Sequence, residues 1–233
     1  MKLKYPGILA LLLLMVAAAW YLTTTPAGRQ PLPHPQSHPV TRPAPEFDFY
    51  VLALSWSPTF CETSAEGSNR EQCGTRQKRG FIVHGLWPQN EDGYPEFCAS
   101  SEPGRVPASL GRTVADIMPG MGLVGHQWRK HGTCTGLSQR DYLALIRKAR
   151  ERVAIPMDID GARQPQQRRV QALEQQLIAA NPGLTSQAVS VTCNGDQLDE
   201  LRICMTKDLD FRTCPKIDRR ACSRQTITIP PLR

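Results

Sequence analysis

The sequence predicts an α+β domain stabilised by disulfide bonds, preceded by a short apolar segment and a proline-rich linker. Two observations predict this fold class. Segments typical of strands and of helices follow one another without regular alternation, which favours an α+β fold over a doubly wound parallel sheet. The 233-residue chain also contains eight cysteines, within an ordinary globular composition of 40% hydrophobic and 21% charged residues.

The predicted strands are short runs of aromatic, branched and other apolar residues, and the predicted helices have apolar residues at helical spacing. We expect strands at residues 47–56, 80–85, 188–192 and 201–205, the second run being closed by Gly85 and Pro88. We expect helices at residues 141–152 and 170–180, and an Asn-Pro-Gly sequence at 181–183 ends the second helix.

The beginning of the chain has the composition of an export signal. Lys2 and Lys4 precede an uncharged apolar run at residues 8–22, and the alanines at 17–19 supply the small residues of a cleavage site. The run is shorter than the roughly 20 residues of a membrane-spanning helix. Residues 1–22 are therefore predicted to be a signal peptide, with an uncleaved signal anchor that attaches the protein to a membrane as the alternative.

Residues 23–45 are predicted to be an extended linker, because seven prolines lie between positions 26 and 45 and little there can be buried. His34 and His38 lie in this linker, where we expect them to be solvated and without a catalytic role. The folded domain is predicted at residues 46–233 of an exported, periplasmic or extracellular monomer.

The net charge of this domain is small. The whole chain has 28 basic and 21 acidic residues, and residues 1–45 contain four of the basic residues and none of the acidic ones. Residues 46–233 therefore have 24 basic and 21 acidic residues, a net charge of +3. Such a domain attracts polyanions only weakly, so charge alone does not indicate a nucleic-acid partner.

All eight cysteines lie in the predicted domain, and no two have the C-x-x-C spacing of a zinc ribbon or a redox motif. An even number of cysteines behind an export signal is typical of a disulfide framework formed in an oxidising compartment. Eight cysteines allow about 105 pairings, so spacing does not select one.

The three histidines outside the linker occur in two segments, FIVHGLWP and GHQWRKHGTC. Taken singly, each is compatible with a core or surface histidine. A zinc site of the metalloprotease type needs histidines at i and i+4 with a glutamate between them. His126 and His131 are five residues apart with no glutamate between them, and Arg129 and Lys130 would repel a cation. A zinc site is therefore disfavoured.

A serine or cysteine nucleophile is also disfavoured, because there is no G-x-S-x-G sequence and the cysteines are expected to form bridges. Acid–base chemistry by histidine remains, since an imidazole exchanges protons near neutral pH. Cleavage of RNA through its own 2′-hydroxyl needs one imidazole that takes a proton and another that gives one. It also needs positive charge near the phosphorane, which Lys130 and a third histidine can supply.

The two histidine segments, at residues 81–88 and 126–134, resemble the active-site segments of the ribonuclease T2 family. SWSP at 55–58 with Cys61, LDELRICM at 198–205, and Cys214-Pro215 after Phe211 are also similar to that family. Together these segments cover much of residues 47–222. The resemblance, which extends to bacterial periplasmic members, implies an α+β fold with a central antiparallel sheet flanked by helices.

The resemblance also implies a reaction. A metal-independent endoribonuclease without a cofactor would cleave single-stranded RNA to a 2′,3′-cyclic phosphate and then hydrolyse this to a 3′-phosphate. His131 would be the general base on the 2′-hydroxyl, and His84 would be the general acid on the leaving 5′-oxygen. His126 and Lys130 would bind the phosphate and the charge that develops on it.

Further contacts follow from the same resemblance. Trp87 would stack on a base, with packing in the core as the alternative. Gln89, directly after HGLWP, occupies a position involved in base recognition, and Trp128 is assigned to the core. The implied disulfide bonds are Cys61–Cys73, Cys98–Cys134, Cys193–Cys222 and Cys204–Cys214.

One residue departs from the family pattern, since Gln127 stands where the family usually has a glutamate. Its amide can donate a hydrogen bond to a phosphoryl oxygen but carries no charge, and uncompensated positive charge lowers histidine pKa values. We therefore expect a slower enzyme with an acidic pH optimum. A catalytically inactive RNA-binding protein of the same fold is one alternative. A disulfide-rich exported binding protein is another, although it would not need three such histidines.

Overall fold

The computed structural model describes residues 45–64, 69–74, 78–218 and 221–232. Within these ranges the strands are β1 Phe49–Trp56, β2 Phe81–Gln89, β3 Gln166–Arg169, β4 Val189–Asn194, β5 Gln197–Met205 and β6 Thr226–Ile229. The helices there are α1 Ser57–Thr63, α2 Arg70–Cys73, α3 Ala108–Gly111, α4 Met121–Lys130, α5 Gln139–Glu151, α6 Met157–Asp160, α7 Val170–Ala180 and α8 Pro215–Asp218. Short 3₁₀ helices follow α3 and α4, at Arg112–Val114 and Gly132–Cys134.

The strands form one sheet in the order β2-β1-β5-β6-β3, and β4 pairs with β5 outside this path. The pairs β1–β2, β1–β5, β4–β5 and β3–β6 are antiparallel, whereas β5 and β6 meet in one parallel pair, Gln197 with Thr228. Helices α4 and α5 pack against β2, and α7 packs against β4. This antiparallel sheet with its flanking helices confirms the predicted fold class.

Strand β2 is longer than the sequence predicts, because it continues through Gly85 and Pro88 to Gln89. The prediction that these residues close the run is wrong. Proline is tolerated here because β2 is an edge strand, which can lack one backbone donor without breaking the ladder. The four-residue strands β3 and β6 were not predicted.

A β-bulge at His84 interrupts the pairing of β2 with β1. Ala53 pairs with Gly85 and Leu54 pairs with Val83, so His84 is the extra residue on β2. Bulges of this kind change the direction of a side chain and are common beside active sites. Both His84 and Gly85 therefore lie on the same face of the sheet.

The two faces of the sheet have different surroundings, because side chains alternate along each strand. One face of the sheet is buried in the main core, to which it contributes Leu52, Leu54, Val83, Leu86, Leu201 and Ile203. The register places Val51, Ala53, Ser55, Gly85, Trp87, Glu200 and Arg202 on the opposite face, which we call the open face.

Helices α5 and α7 agree well with the sequence prediction. α7 has the predicted bounds, 170–180. α5 begins two residues before the predicted start, because the Ser138 side chain accepts a hydrogen bond from the Asp141 N–H and so caps the helix. α4 was not predicted, and its buried side includes Val124 and Trp128.

Four disulfide bonds link Cys61–Cys73, Cys98–Cys134, Cys193–Cys222 and Cys204–Cys214, which is the pairing implied by the family resemblance. The predicted signal segment and nearly all of the linker, with His34 and His38, lie outside the described residues. Among the described residues, no helix combines the length and the apolar character needed to span a bilayer.

Candidate active site

His84 lies on the open face and is held by a buried carboxylate. Its Nδ1 is 2.6 Å from Oε1 of Glu200, whose side chain is only 5% exposed. Glu200 pairs with Ser55 on the intervening strand β1, and this register brings the carboxylate within reach of the bulged histidine. Nε of Arg202 donates a 2.8 Å hydrogen bond to Oε2 of the same carboxylate. With Nδ1 so engaged, Nε2 of His84 is the nitrogen left for a ligand.

The second histidine segment forms α4 and the turn after it. His126 and Lys130 lie one turn apart on the same side of the helix, and His131 follows the last helical residue. The His131 N–H donates a 2.9 Å hydrogen bond to the backbone carbonyl of Gln127, which closes the final turn. The disulfide at Cys134 fixes the chain directly after this turn.

The indole of Trp87 joins the two segments. Its ring stacks on the His131 ring at a centroid distance of 5.4 Å, and it meets the His84 ring nearly at right angles, also at 5.4 Å. Its Nε1 donates a 2.9 Å hydrogen bond to Oε1 of Gln127. A Cβ atom at Gly85 would approach that oxygen within 2.2 Å, so the glycine of HGLWP leaves the space in which this bond forms.

Two cavities meet at the histidines. All seven residues predicted for the site line the first cavity, which has a volume of about 240 Å³: His84, Trp87, Gln89, His126, Gln127, Lys130 and His131. The second cavity has a volume of about 320 Å³, and its lining includes Ser55, Phe60, Gln72, Ile82 and Leu123. His84 and His126 line both cavities, whereas His131 and Lys130 line only the first.

The His131 ring is in an environment that disfavours protonation. Burial lowers the pKa of His131 to about 3, and the positive charges of Lys130, His84 and His126 act in the same direction. The pKa of His126 is also lowered, first by burial and then by Lys130 and Arg129. Nδ1 of His131 is buried and has no hydrogen-bond partner among the described residues. His131 is therefore a neutral imidazole at neutral and mildly acidic pH.

The charge in contact with His84 is negative, whereas the charges around His131 are positive. Burial by itself would raise the pKa of Glu200, but the hydrogen bond from His84, and the charges of His84 and Arg202, bring it below its usual value. Glu200 is therefore an anion over the physiological pH range. Its carboxylate accepts the hydrogen bond from Nδ1 of His84 and so holds the ring in place.

Glu200 and Arg202 were missed by the sequence prediction, which assigned their segment only to a closing strand. A signal was present, because Glu200 and Arg202 have opposite charges and stand two residues apart in a predicted strand segment, 198–205, whose other charged residue is Asp199. Such residues lie on the same face of a strand, and buried charges are retained where they are paired. Arg202 also lines the first cavity, with its guanidinium 5.7 Å from the centre of the Trp87 ring.

Trp128 and Gln89 occupy different surroundings. Trp128 is fully buried in the core, and its Nε1 donates to the carbonyl oxygen of Pro103. Gln89 borders the first cavity, where its amide donates a 3.0 Å hydrogen bond to the carbonyl oxygen of Pro88.

Among the described residues, no three His, Cys, Asp or Glu side chains come together in a way that could hold a metal ion.

Residues 47–214 match the Ribonuclease T2 family. The chain is 41% identical over 109 residues to a ribonuclease of Aeromonas hydrophila, a match that covers 47% of each protein. It is 28% identical over 140 residues to ribonuclease I of Escherichia coli, covering 43% of this chain and 52% of that protein. The matched segments thus span about half the length of these bacterial relatives. Ribonuclease DdI of Dictyostelium discoideum is 26% identical over 210 residues, covering 76% of this chain and 82% of that protein.

Solved structures share the fold. The RNase-related protein from Calystegia sepium superposes with a TM-score of 0.65 at 19% identity, covering 81% of this chain and 98% of that one. RNase NT, solved in complex with 5′-AMP, superposes with a TM-score of 0.65 at 23% identity. The match covers 81% of this chain and 100% of that one. Since the family match includes both histidine segments and the strand that carries Glu200, the chain belongs to the ribonuclease T2 family.

Proposed function

We propose that this protein is an exported endoribonuclease that cleaves single-stranded RNA through the RNA's own 2′-hydroxyl, without a metal ion. One observation carries the proposal. His84 and His131 line the same cavity in opposite electrostatic environments, His131 as a buried neutral base and His84 as the partner of an anionic carboxylate. One ring can take a proton while the other gives one.

In the first step His131 accepts the proton of the 2′-hydroxyl through Nε2, and the 2′-oxygen attacks the phosphorus. His84 donates a proton to the 5′-oxygen as its bond to phosphorus breaks, which leaves a 2′,3′-cyclic phosphate. In the second step the roles reverse. His84 takes a proton from the attacking water and His131 returns one to the 2′-oxygen, which gives a 3′-phosphate.

The charge that grows on the phosphorane requires cations that are already in position. Lys130 and Arg202 line the first cavity and can supply them, and His126, whose pKa is lowered, can donate a hydrogen bond to the phosphate as a neutral imidazole. The side chain of Lys130 is partly exposed and lies 3.4 Å from Glu96, so it is held near the cavity and remains accessible to a phosphate.

The two cavities give the bound RNA a direction. Because His131 lines only the first cavity, the nucleotide with the attacking 2′-hydroxyl binds there, beside Trp87. His84 lines both cavities, so the leaving nucleotide extends into the second one.

Export is supported by the apolar N-terminal run behind two lysines and by the four disulfide bonds, which form in oxidising compartments.

The proposal is tested by incubating the full chain with RNA and with the same sequence lacking 2′-hydroxyls, with and without EDTA. We expect RNA alone to be cut, EDTA to have no effect, and a 2′,3′-cyclic phosphate to accumulate before the 3′-phosphate. Loss of cleavage in EDTA, or cleavage of the deoxy strand, would contradict the mechanism. Binding without cleavage would instead support the inactive RNA-binding alternative.

Replacement of Gln127 by glutamate is expected to move the acid limb of the pH–rate profile upward by about one pH unit. Gln127 is 2% exposed and lies among the cations of the first cavity. A carboxylate there would stabilise the protonated form of His131, whose pKa burial holds at about 3. The measurement is kcat/KM for RNA between pH 2.5 and pH 8.

The matched control is Gln127→Met, which has a similar shape and removes the acceptor for the Trp87 N–H without adding charge. The acid limb should move in the glutamate variant and stay in place in the methionine variant. Equal pH–rate profiles in the two variants would show that charge at position 127 does not affect the protonation of His131.

A further inference from the structure

Phe97 is an exposed aromatic residue in a disfavoured backbone conformation at the edge of the active site. It is 59% exposed and has φ of +50°, in the left-handed region that β-carbon-bearing residues other than asparagine and aspartate rarely adopt. A single exposed apolar side chain needs no special explanation. A large ring held in this conformation does, because glycine or asparagine would fit with less strain.

Three contacts fix the backbone around this ring. The Phe97 N–H donates a 2.8 Å hydrogen bond to the Lys130 carbonyl at the end of α4. Glu96, directly before it, forms the ion pair with Lys130, and Cys98, directly after it, is bridged to Cys134. The backbone that carries the ring therefore has a fixed position relative to the second histidine segment.

The ring stands beside a phosphate-binding group and keeps an open face. Its centroid is 6.5 Å from that of His126, and the two rings are nearly perpendicular at 77°. A perpendicular neighbour covers only part of the ring, in agreement with the high exposure of Phe97. Aromatic side chains fixed in this way are the platforms on which proteins stack the bases of single-stranded nucleic acids.

We propose that Phe97 forms a further nucleotide subsite, which stacks on the base directly upstream of the nucleotide in the first cavity. This proposal rests on the proposed ribonuclease function. The upstream direction follows from the backbone neighbours of Phe97, since the ring itself lines neither cavity and the adjacent His126 ring lines both. Lys130 and Tyr94 line the first cavity, whereas no residue between 94 and 98 lines the second. RNA that leaves the first cavity past Lys130 therefore reaches Phe97.

The test uses chimeric oligonucleotides with a single ribonucleotide, so that cleavage is possible at one bond only and fixes the register. One substrate has the ribonucleotide and one downstream deoxynucleotide. A second adds a deoxyadenosine upstream, and a third adds a deoxyadenosine downstream instead. The readout is the gain in kcat/KM that each added nucleotide gives over the shortest substrate.

In the wild-type protein the upstream nucleotide should raise kcat/KM, and Phe97→Leu should reduce this gain about tenfold. Phe97→Tyr should keep the gain, because it retains an aromatic face. Met157→Ala is the matched control, since Met157 is 79% exposed and lines neither cavity. An undiminished upstream gain in Phe97→Leu, or a loss confined to the downstream gain, would overturn the subsite.

Failure of the subsite can be told apart from failure of the proposed function. If no chimeric substrate is cleaved, the ribonuclease proposal fails. The dissociation constant of the upstream-extended oligonucleotide, compared between wild type and Phe97→Leu, then decides the subsite. Weaker binding in the leucine variant supports it, and equal binding overturns it.

Discussion

Replacement of His131 by alanine is expected to lower kcat/KM for RNA by about 10²–10⁴-fold, the usual contribution of a general base. The variant should also lose the acid limb of the pH–rate profile. In the wild type this limb should lie near pH 3, because burial and then the charges of Lys130, His84 and His126 lower the pKa of His131 to about 3. The measurement is kcat/KM for a dinucleotide between pH 2.5 and pH 8.

Stability gives an independent check on the same histidine. The pKa of His131 is about 3 in the folded protein, and that of an unfolded histidine is about 6.5. The unfolded chain therefore binds a proton in the window between these values that the folded protein does not bind. The contribution of His131 to stability is present above about pH 6.5 and is lost as the pH falls toward 3.

Wild type should therefore lose stability more steeply than His131→Asn when denaturant unfolding is followed from pH 7 to pH 4. Equal slopes in this series would contradict the lowered pKa even if activity is lost. An acid limb that persists in His131→Ala would show that another group is the base.

Replacement of Glu200 by glutamine is expected to reduce kcat/KM at pH 7 by about 10- to 100-fold, since a carboxylate that orients a catalytic imidazole also stabilises its charged form. Glu200 contacts His84 at 2.6 Å and is almost fully buried. Without the carboxylate, the His84 ring loses the acceptor that holds its Nδ1, so the loss should fall on kcat with KM nearly unchanged. A merely structural role would lower the fraction of folded protein and leave kcat per folded molecule unchanged.

Asp199→Asn is the matched control for this prediction. Asp199 precedes Glu200 on β5 and carries a negative charge that acts on Glu200, but its side chain bonds to Thr192 and makes no hydrogen bond to His84. We expect its kcat to stay near that of the wild type. If both variants lose kcat equally, the effect comes from general charge and the contact between Glu200 and His84 has no special role.

The elements that the sequence predicted well have a clear local period. The apolar run of β1 and the helical spacing of α7 are each determined by neighbours in sequence, and both were predicted within two residues. The candidate catalytic residues were predicted for a different reason. His84, His126 and His131 lie in segments whose order and composition resemble a known family.

The parts that could not be predicted depend on long-range pairing. The bulge that redirects His84 exists only because β2 pairs with β1 in a register that buries both Val83 and Leu86. Glu200 meets His84 across 116 positions of sequence, through that register and that of β1 with β5. α4 was missed because its two glycines weaken the helical pattern, and tertiary packing of one side stabilises it.

The most direct test of the account compares two leaving groups. A nucleoside 3′-(4-nitrophenyl phosphate) releases a nitrophenolate, which needs no proton, whereas a dinucleotide releases a 5′-oxygen that does. We expect His84→Ala to lose activity strongly on the dinucleotide and far less on the aryl ester. His131→Ala should lose activity to a similar extent on both, because both reactions begin at the 2′-hydroxyl. Equal losses for His84→Ala on the two substrates would contradict the assignment of acid and base around one phosphate.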